Sequence, residues 1–149
     1  MNKKNKINII GGGLAGCEAA YQISKLGINV DLYEMRPKTK TEAHNTEYLG
    51  ELVCSNSFRS DDKEFNAVGV LHEELRMSDS LIMKTADLNK VPAGSALAVD
   101  RDDFAKEINN IIRSNSKINV INEEVKHLDE FGDQIVMIFS LVMRVMIRY

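Results

Sequence analysis

The 149-residue chain has few cysteines, no surplus of positive charge and no long apolar run. Cys17 and Cys54 are too few for a disulfide framework, which points to a reducing compartment. A formal net charge of −3 provides no global basic field for nucleic acid, so such contacts would need a local patch. No stretch reaches the roughly 20 apolar residues of a membrane span. The basic start MNKKNK is followed by a four-residue stretch that runs straight into glycines, so no signal peptide is expected. His44 and His72 stand singly in polar surroundings without metal-ligand spacing, and no metal site is expected. Internal repeats and low-complexity tracts are also absent. These absences point to a cytoplasmic location without a membrane partner.

The apolar and charged fractions are those of a globular domain, and the length allows burial of roughly 68–70% of the unfolded surface. KINII (6–10) is an apolar run of buried parallel-strand type. GGGLAG follows at once, then the helical CEAAYQISKLG with a Gly27 stop, then a second strand, INVDLYE (28–34). This is a βαβ unit. Residues 35–65 are polar and show no clear period. A helical pattern resumes at Asn66, with Val68, Leu71, Leu75 and Ile82 roughly along one face. VPAGSALAV (91–99) reads as a connector ending in a short strand. Asp100 is placed to cap a helix over 102–114 with Phe104, Ile108, Ile111 and Ile112 as its apolar face. KINVINEEVKHL (117–128) reads as a further strand with an extension.

Gly11, Gly13 and Gly16 form G-x-G-x-x-G between strand and helix, where a dinucleotide fingerprint requires them. The first glycine permits a sharp turn, the second lets a pyrophosphate approach, and the third lets helix and strand pack closely. Gly11, Gly12, Gly13, Leu14, Ala15 and Gly16 are therefore the candidate phosphate-binding residues, with the helix N-terminus behind them. Glu34 ends the second strand, eighteen residues beyond Gly16, where a carboxylate can accept ribose hydroxyls and repel a 2′-phosphate. This favours FAD or NAD over NADP at the site. Arg36 is placed to reach the adenosine or phosphate end, or to lie on the surface. Cys17 is small and close to the glycine loop, and its expected role is structural. Glu73 and Glu74 are expected to form a solvated helix face, and Asp100 and Arg101 to cap and anchor a helix.

Ala20, Gly27, Val30 and Glu34 extend the glycine pattern in a way that resembles the N-terminal FAD site of the two-dinucleotide-domain flavoproteins. The segments YEMRP (33–37), ELVCSNSFRS (51–60), NAVGVLHEELRMSDSLIM (66–83), VPAGSALAVDRDDF (91–104) and NVINEEV (119–125) narrow the match. Over about residues 5–130 the chain resembles the N-terminal part of the TrmFO family, the folate- and FAD-dependent tRNA (uracil-5-)-methyltransferases. LVCSNS and PAGSALAVDR are far more specific to that family than the glycine loop is. The resemblance implies an α/β, Rossmann-like FAD-binding domain. It also implies methylation of the T-loop uridine of tRNA to 5-methyluridine, with methylenetetrahydrofolate as one-carbon donor and NAD(P)H as reductant. Cys54 matches the earlier of the family's two important cysteines and is the candidate catalytic residue. Adding to the base, protecting an intermediate and acid–base catalysis all remain open as its role. Another flavoprotein of the superfamily, serving tRNA wobble-uridine modification or oxidoreduction, and a non-catalytic dinucleotide-binding remnant are the alternatives.

The FAD-binding unit is expected over residues 1–130, with an atypical apolar and basic tail over 131–149. QIVMIFSLVMRVMIRY contains no acidic residue and no glycine, where the family would continue into an Ala-Thr-Gly turn. This ending is read as an out-of-frame or shortened C-terminus. The expectation is an incomplete sheet with an exposed edge, weak or absent FAD binding by the isolated chain, and no methyltransferase activity. Arg36, Lys38, Lys40 and Arg59 are interleaved with Glu42, Glu47 and Glu51, so most of the tRNA footprint is expected outside this sequence.

Overall fold

The computed structural model describes residues 6–39 and 41–139. Four strands make a parallel sheet: β1 (Lys6–Ile10), β2 (Asn29–Glu34), β6 (Ile118–Asn122) and β7 (Ile135–Ile138), in the order β6-β2-β1-β7. In sequence order these are the third, second, first and fourth strands of the sheet. That is the doubly wound arrangement, in which ligands bind outside the carboxyl ends where the strand order reverses. The reversal lies between β1 and β7, so the loop after β1 opens onto it. The last strand falls within the segment read as a tail: Ile7 pairs with Ile135 and Ile10 with Ile138. Residues 140–149 lie outside the described residues.

Alternation along the strands divides the sheet into two chemically different faces. Ile9, Val30, Leu32 and Ile118 are buried on one face, against α1 (Leu14–Lys25) and α4 (Arg101–Ser114). On the other, Asn8, Asp31 and Asn119 stand in one register row, and Asn119 Nδ2 donates to Asp31 at 3.0 Å. The crossover to β7 contains a short 3-10 helix, Leu128–Phe131, whose Phe131 packs edge-on to Tyr33 at 5.3 Å between centroids.

A second, antiparallel sheet has the order β3-β5-β4, from β3 (Ser57–Ser60), β4 (Lys90–Val91) and β5 (Ala96–Val99). β3 lies in the segment where no period was legible. Its sequence, SFRS, is polar, its pairing with β5 is irregular, and Arg59 takes a positive φ of 71°. Asp100 caps α4 as expected, accepting from the Asp102 and Asp103 N–H groups, and Phe104, Ile108 and Ile112 are fully buried.

The pattern from Asn66 folds differently from the expectation. It divides into α2 (Ala67–Met77) and α3 (Leu81–Leu88), separated by Asp79 at φ 55° and the capping residue Ser80. Leu71 is 51% exposed and Leu75 36%, while α2 buries Gly69 and His72 instead. Two polar facts decide the face. A Cβ on Gly69 would lie 2.1 Å from the Asp62 carbonyl oxygen, so only glycine admits this approach. His72 Nδ1 pairs with Asp61 at 3.0 Å, which satisfies an imidazole that is otherwise costly to bury. Among the described residues no helix is long and apolar enough to cross a membrane.

Candidate functional site

The three fingerprint glycines do three different jobs, each visible in the backbone. Gly11 turns the chain at φ 107°, a conformation L side chains rarely adopt. Gly16 packs so tightly that a Cβ would fall 1.8 Å from the Gly11 carbonyl oxygen. Gly13 faces open space, with nothing within 4 Å of an added Cβ, and it also forms the N-cap of α1 without a side-chain capping bond. The first N–H groups of α1, from Leu14 and Ala15 onward, therefore begin beside a clear approach. A helix N-terminus of this kind carries partial positive charge and free donors, the chemistry an anion requires.

Glu34 reaches under this turn, and its Oε2 accepts from the Gly12 N–H at 2.9 Å. Its other oxygen accepts from Arg36 twice, from the backbone at 3.0 Å and from Nε at 2.8 Å. A carboxylate offers about four lone-pair directions. Three are taken, which leaves one on Oε2 for an incoming hydroxyl. Burial pushes the Glu34 carboxyl up, but the Arg36 bonds and charge and the Gly12 N–H outweigh it and hold the group below its ordinary range.

Arg36 is 3% exposed, so it is neither a surface arginine nor free to swing. Its second face meets Glu51, with Nη1 to Oε2 at 3.1 Å, and Nη1 also donates to the Thr46 carbonyl. Glu51 in turn accepts from the Asn45 and Thr46 N–H groups at 2.9 and 3.2 Å and from the Thr46 hydroxyl at 2.9 Å. Burial raises this carboxyl too, and those donors more than reverse the effect. A buried row Glu34–Arg36–Glu51 thus ties the strand end to the segment that leads to Cys54. Glu51 was legible only as one acid among alternating charges, and nothing in its spacing marked it as Arg36's second partner.

Leu49 and Gly50 close the row against the glycine loop. The Gly50 N–H donates to the Gly12 carbonyl at 2.9 Å, and buried Leu49 covers Gly12 so closely that a Cβ there would sit 2.5 Å from its methyl. Cys17 lies below, fully buried, with its thiol directed at the Gly12 carbonyl; burial and the charge of Glu34 push it up to about 12. A thiol held neutral in this way is structural.

Cys54 is exposed, in the bend between Glu51 and β3. Beside it lies a cleft of about 450 Å³ whose lining includes Glu51 and Asn56 on either side of Cys54, Asp100 and Arg101 from the start of α4, and Val99. Cys54 itself is not part of that lining. Arg101 donates to the Leu52 carbonyl, so it anchors the Cys54 segment as well as beginning a helix. His72 is not part of the cleft lining, while His44 lies close enough to the Glu34–Arg36–Glu51 row to feel its charges. Burial and then the Arg36 charge hold the His44 imidazole below its ordinary value. Among the described residues no group of three or more His, Cys, Asp or Glu could hold a metal ion.

A parallel sheet with this strand order, carrying a glycine loop and an acidic strand end at the reversal point, defines a Rossmann-like dinucleotide-binding domain. The sequence profile of the family described as glucose inhibited division protein A matches residues 6–146, and the chain belongs to that family. Curated relatives carry the name methylenetetrahydrofolate–tRNA-(uracil-5-)-methyltransferase TrmFO, in agreement with the resemblance drawn from LVCSNS and PAGSALAVDR. The protein of Bartonella tribocorum is 60% identical over 124 residues, covering 83% of this chain and 26% of that protein. That of Rhizobium meliloti is 59% identical over 132 residues, 86% of this chain and 28% of its own length. That of Acetivibrio thermocellus is 57% identical over 130 residues, with 87% and 30% covered. The chain thus spans under a third of the length of these relatives. A solved structure of Aquifex aeolicus GidA superposes with a TM-score of 0.64 at 16% identity, over 84% of this chain and 20% of that one, and supports the fold.

Proposed function

We propose that this chain carries the FAD site and the thiol-bearing segment of a tRNA (uracil-5-)-methyltransferase that uses methylenetetrahydrofolate and NAD(P)H and converts the T-loop uridine to 5-methyluridine. The observation that carries the reading is the 60% identity, over 124 residues, to a relative named for that reaction. The fit of the residues supports FAD as the dinucleotide. The space beside Gly13 and the unspent N–H groups of α1 suit a pyrophosphate, with Gly11, Gly12, Leu14, Ala15 and Gly16 shaping the approach. Glu34 has one lone pair left for a ribose hydroxyl, and Arg36 keeps that carboxylate charged without touching the ligand's side of it. Bound flavin would supply an N5 atom able to take up a one-carbon unit and a hydride.

Cys54 is the nucleophile candidate because uracil C5 attacks an electrophile only after a group adds at C6, and a thiolate is suited to that addition. Its exposure in the bend leaves it open to a substrate as large as tRNA. Such a reaction belongs in the cytoplasm, where tRNA and folate meet. Arg36 is buried and contributes nothing to an RNA footprint, so the tRNA contacts fall to other residues.

A chimera tests the reading. In the Bartonella tribocorum relative, the matched 124-residue stretch is replaced by that of this chain, and transfer of labelled carbon from methylenetetrahydrofolate to tRNA is measured alongside flavin absorbance. The expected result is stoichiometric flavin and transfer that Cys54→Ser abolishes while flavin stays bound. A flavin-loaded chimera without transfer, or one indifferent to Cys54→Ser, would overturn it.

A further inference from the structure

Residues 52–56 form an arch held at both ends by one corner of the fold, the junction of β5 and α4. At the near end the Arg101 guanidinium donates to the Leu52 carbonyl. At the far end Asn56 is bonded twice to Val99: its carbonyl accepts from the Val99 N–H at 2.9 Å, and its Nδ2 donates to the Val99 carbonyl at 3.2 Å. Val99 is 1% exposed and Asp100 caps α4, so both anchors spring from rigid backbone. Cys54 sits midway between them, exposed.

The chemistry of Arg101 is unusual for a helix-start residue. A cation at a helix N-terminus opposes the helix dipole. The described hydrogen bonds and ion pairs give its guanidinium a single partner, the neutral Leu52 carbonyl. A helix cap alone needs no arginine here, since Asp100 performs that task. Half-buried at the wall of the cleft, the side chain is placed where its one described contact fixes the course of the arch.

We propose that Arg101 is a positioning residue for Cys54, its contact with the Leu52 carbonyl holding the arch that presents the thiol. The proposal rests on the reading of Cys54 as the working thiol, but its test does not. A nitroxide is attached to the intact chain by thiol exchange; Cys54 takes the label and buried Cys17 does not. The expected spectrum contains a motionally restricted component that Arg101→Gln removes and Arg101→Lys largely retains, because a lysine ammonium can still donate to the carbonyl. Arg101→Met removes the same donor and serves as the second variant if Arg101→Gln fails to fold; Asn56→Ala would not serve, because the Val99 N–H still bonds to the backbone carbonyl of residue 56. A mobile spectrum in the parent chain overturns the proposal, as does a folded Arg101→Gln or Arg101→Met protein with an unchanged spectrum. In the chimera, Arg101→Gln is expected to lower kcat with the folate KM unchanged, and Arg101→Lys to restore it. A Cys54→Ser chimera that still methylates would end the functional reading and leave the label result standing.

Discussion

Replacing Arg36 with methionine tests whether the buried carboxylate row depends on its central cation. The guanidinium is paired at 2.8 Å with Glu34 and at 3.1 Å with Glu51, and all three side chains are less than a tenth exposed. Removing one partner of a buried pair costs roughly 3–5 kcal/mol, because the remaining charge is left uncompensated. Two carboxylates remain, each still accepting backbone N–H bonds, so the loss should stay within that range. At about 2–4 °C per kcal/mol for a domain of this size, the melting point falls by roughly 6–20 °C. The pH dependence gives the signature. In the parent protein both carboxyls lie below their ordinary values. Their contribution is therefore complete above the unfolded carboxylate value of about 4.3 and is lost as pH falls through the folded values. Without the guanidinium, Glu34 loses its side-chain bond and the neighbouring positive charge, so its carboxyl rises and acid relieves the variant by protonating it, while Glu51 keeps its Asn45 and Thr46 donors. The stability gap should thus be widest near neutral pH and should narrow on acidification. Urea unfolding followed by circular dichroism over that pH range measures it. A gap under about 1 kcal/mol at neutral pH, the scale of a surface pair, or one that does not change with pH, would refute the reasoning.

Gly16→Ala should destabilise the fold by at least the roughly 1–3 kcal/mol of overpacking, since the new methyl meets the Gly11 carbonyl oxygen, a backbone atom with little room to yield; urea unfolding reads this directly. Glu18→Ala should cost about 0.5–2 kcal/mol, the range for a lost helix cap, and raise amide exchange at the start of α3. The reason is that the Glu18 carboxylate, reaching across from α1, accepts from the Ser80 hydroxyl at 2.8 Å and from the Leu81 and Ile82 N–H groups. Unchanged exchange at Leu81 and Ile82 would show that Ser80 alone caps that helix.

Whatever is written in local backbone chemistry could be read from the residues before any folding. KINII, the glycine turn, the following helix and the strand ending in Glu34 were legible because apolar β-branched runs, helical character and the spacing of glycines are properties of neighbouring residues. The Asp100 cap and the apolar face of α4 were legible for the same reason, and segments such as LVCSNS marked the family. Only tertiary structure decided which face of α2 is buried, because Asp61 and Asp62, outside that helix, settle it through His72 and Gly69. It alone decided that Arg36 lies between Glu34 and Glu51, two residues before it one carboxylate and fifteen residues after it the other. It alone set β7 beside β1 and so placed the reversal point at the glycine loop. It also made Arg101 an anchor of the Cys54 arch. The physical reason is common to all four: hydrogen bonds and ion pairs between residues distant in the chain have no periodicity, and their partners are chosen when the sheet and helices pack.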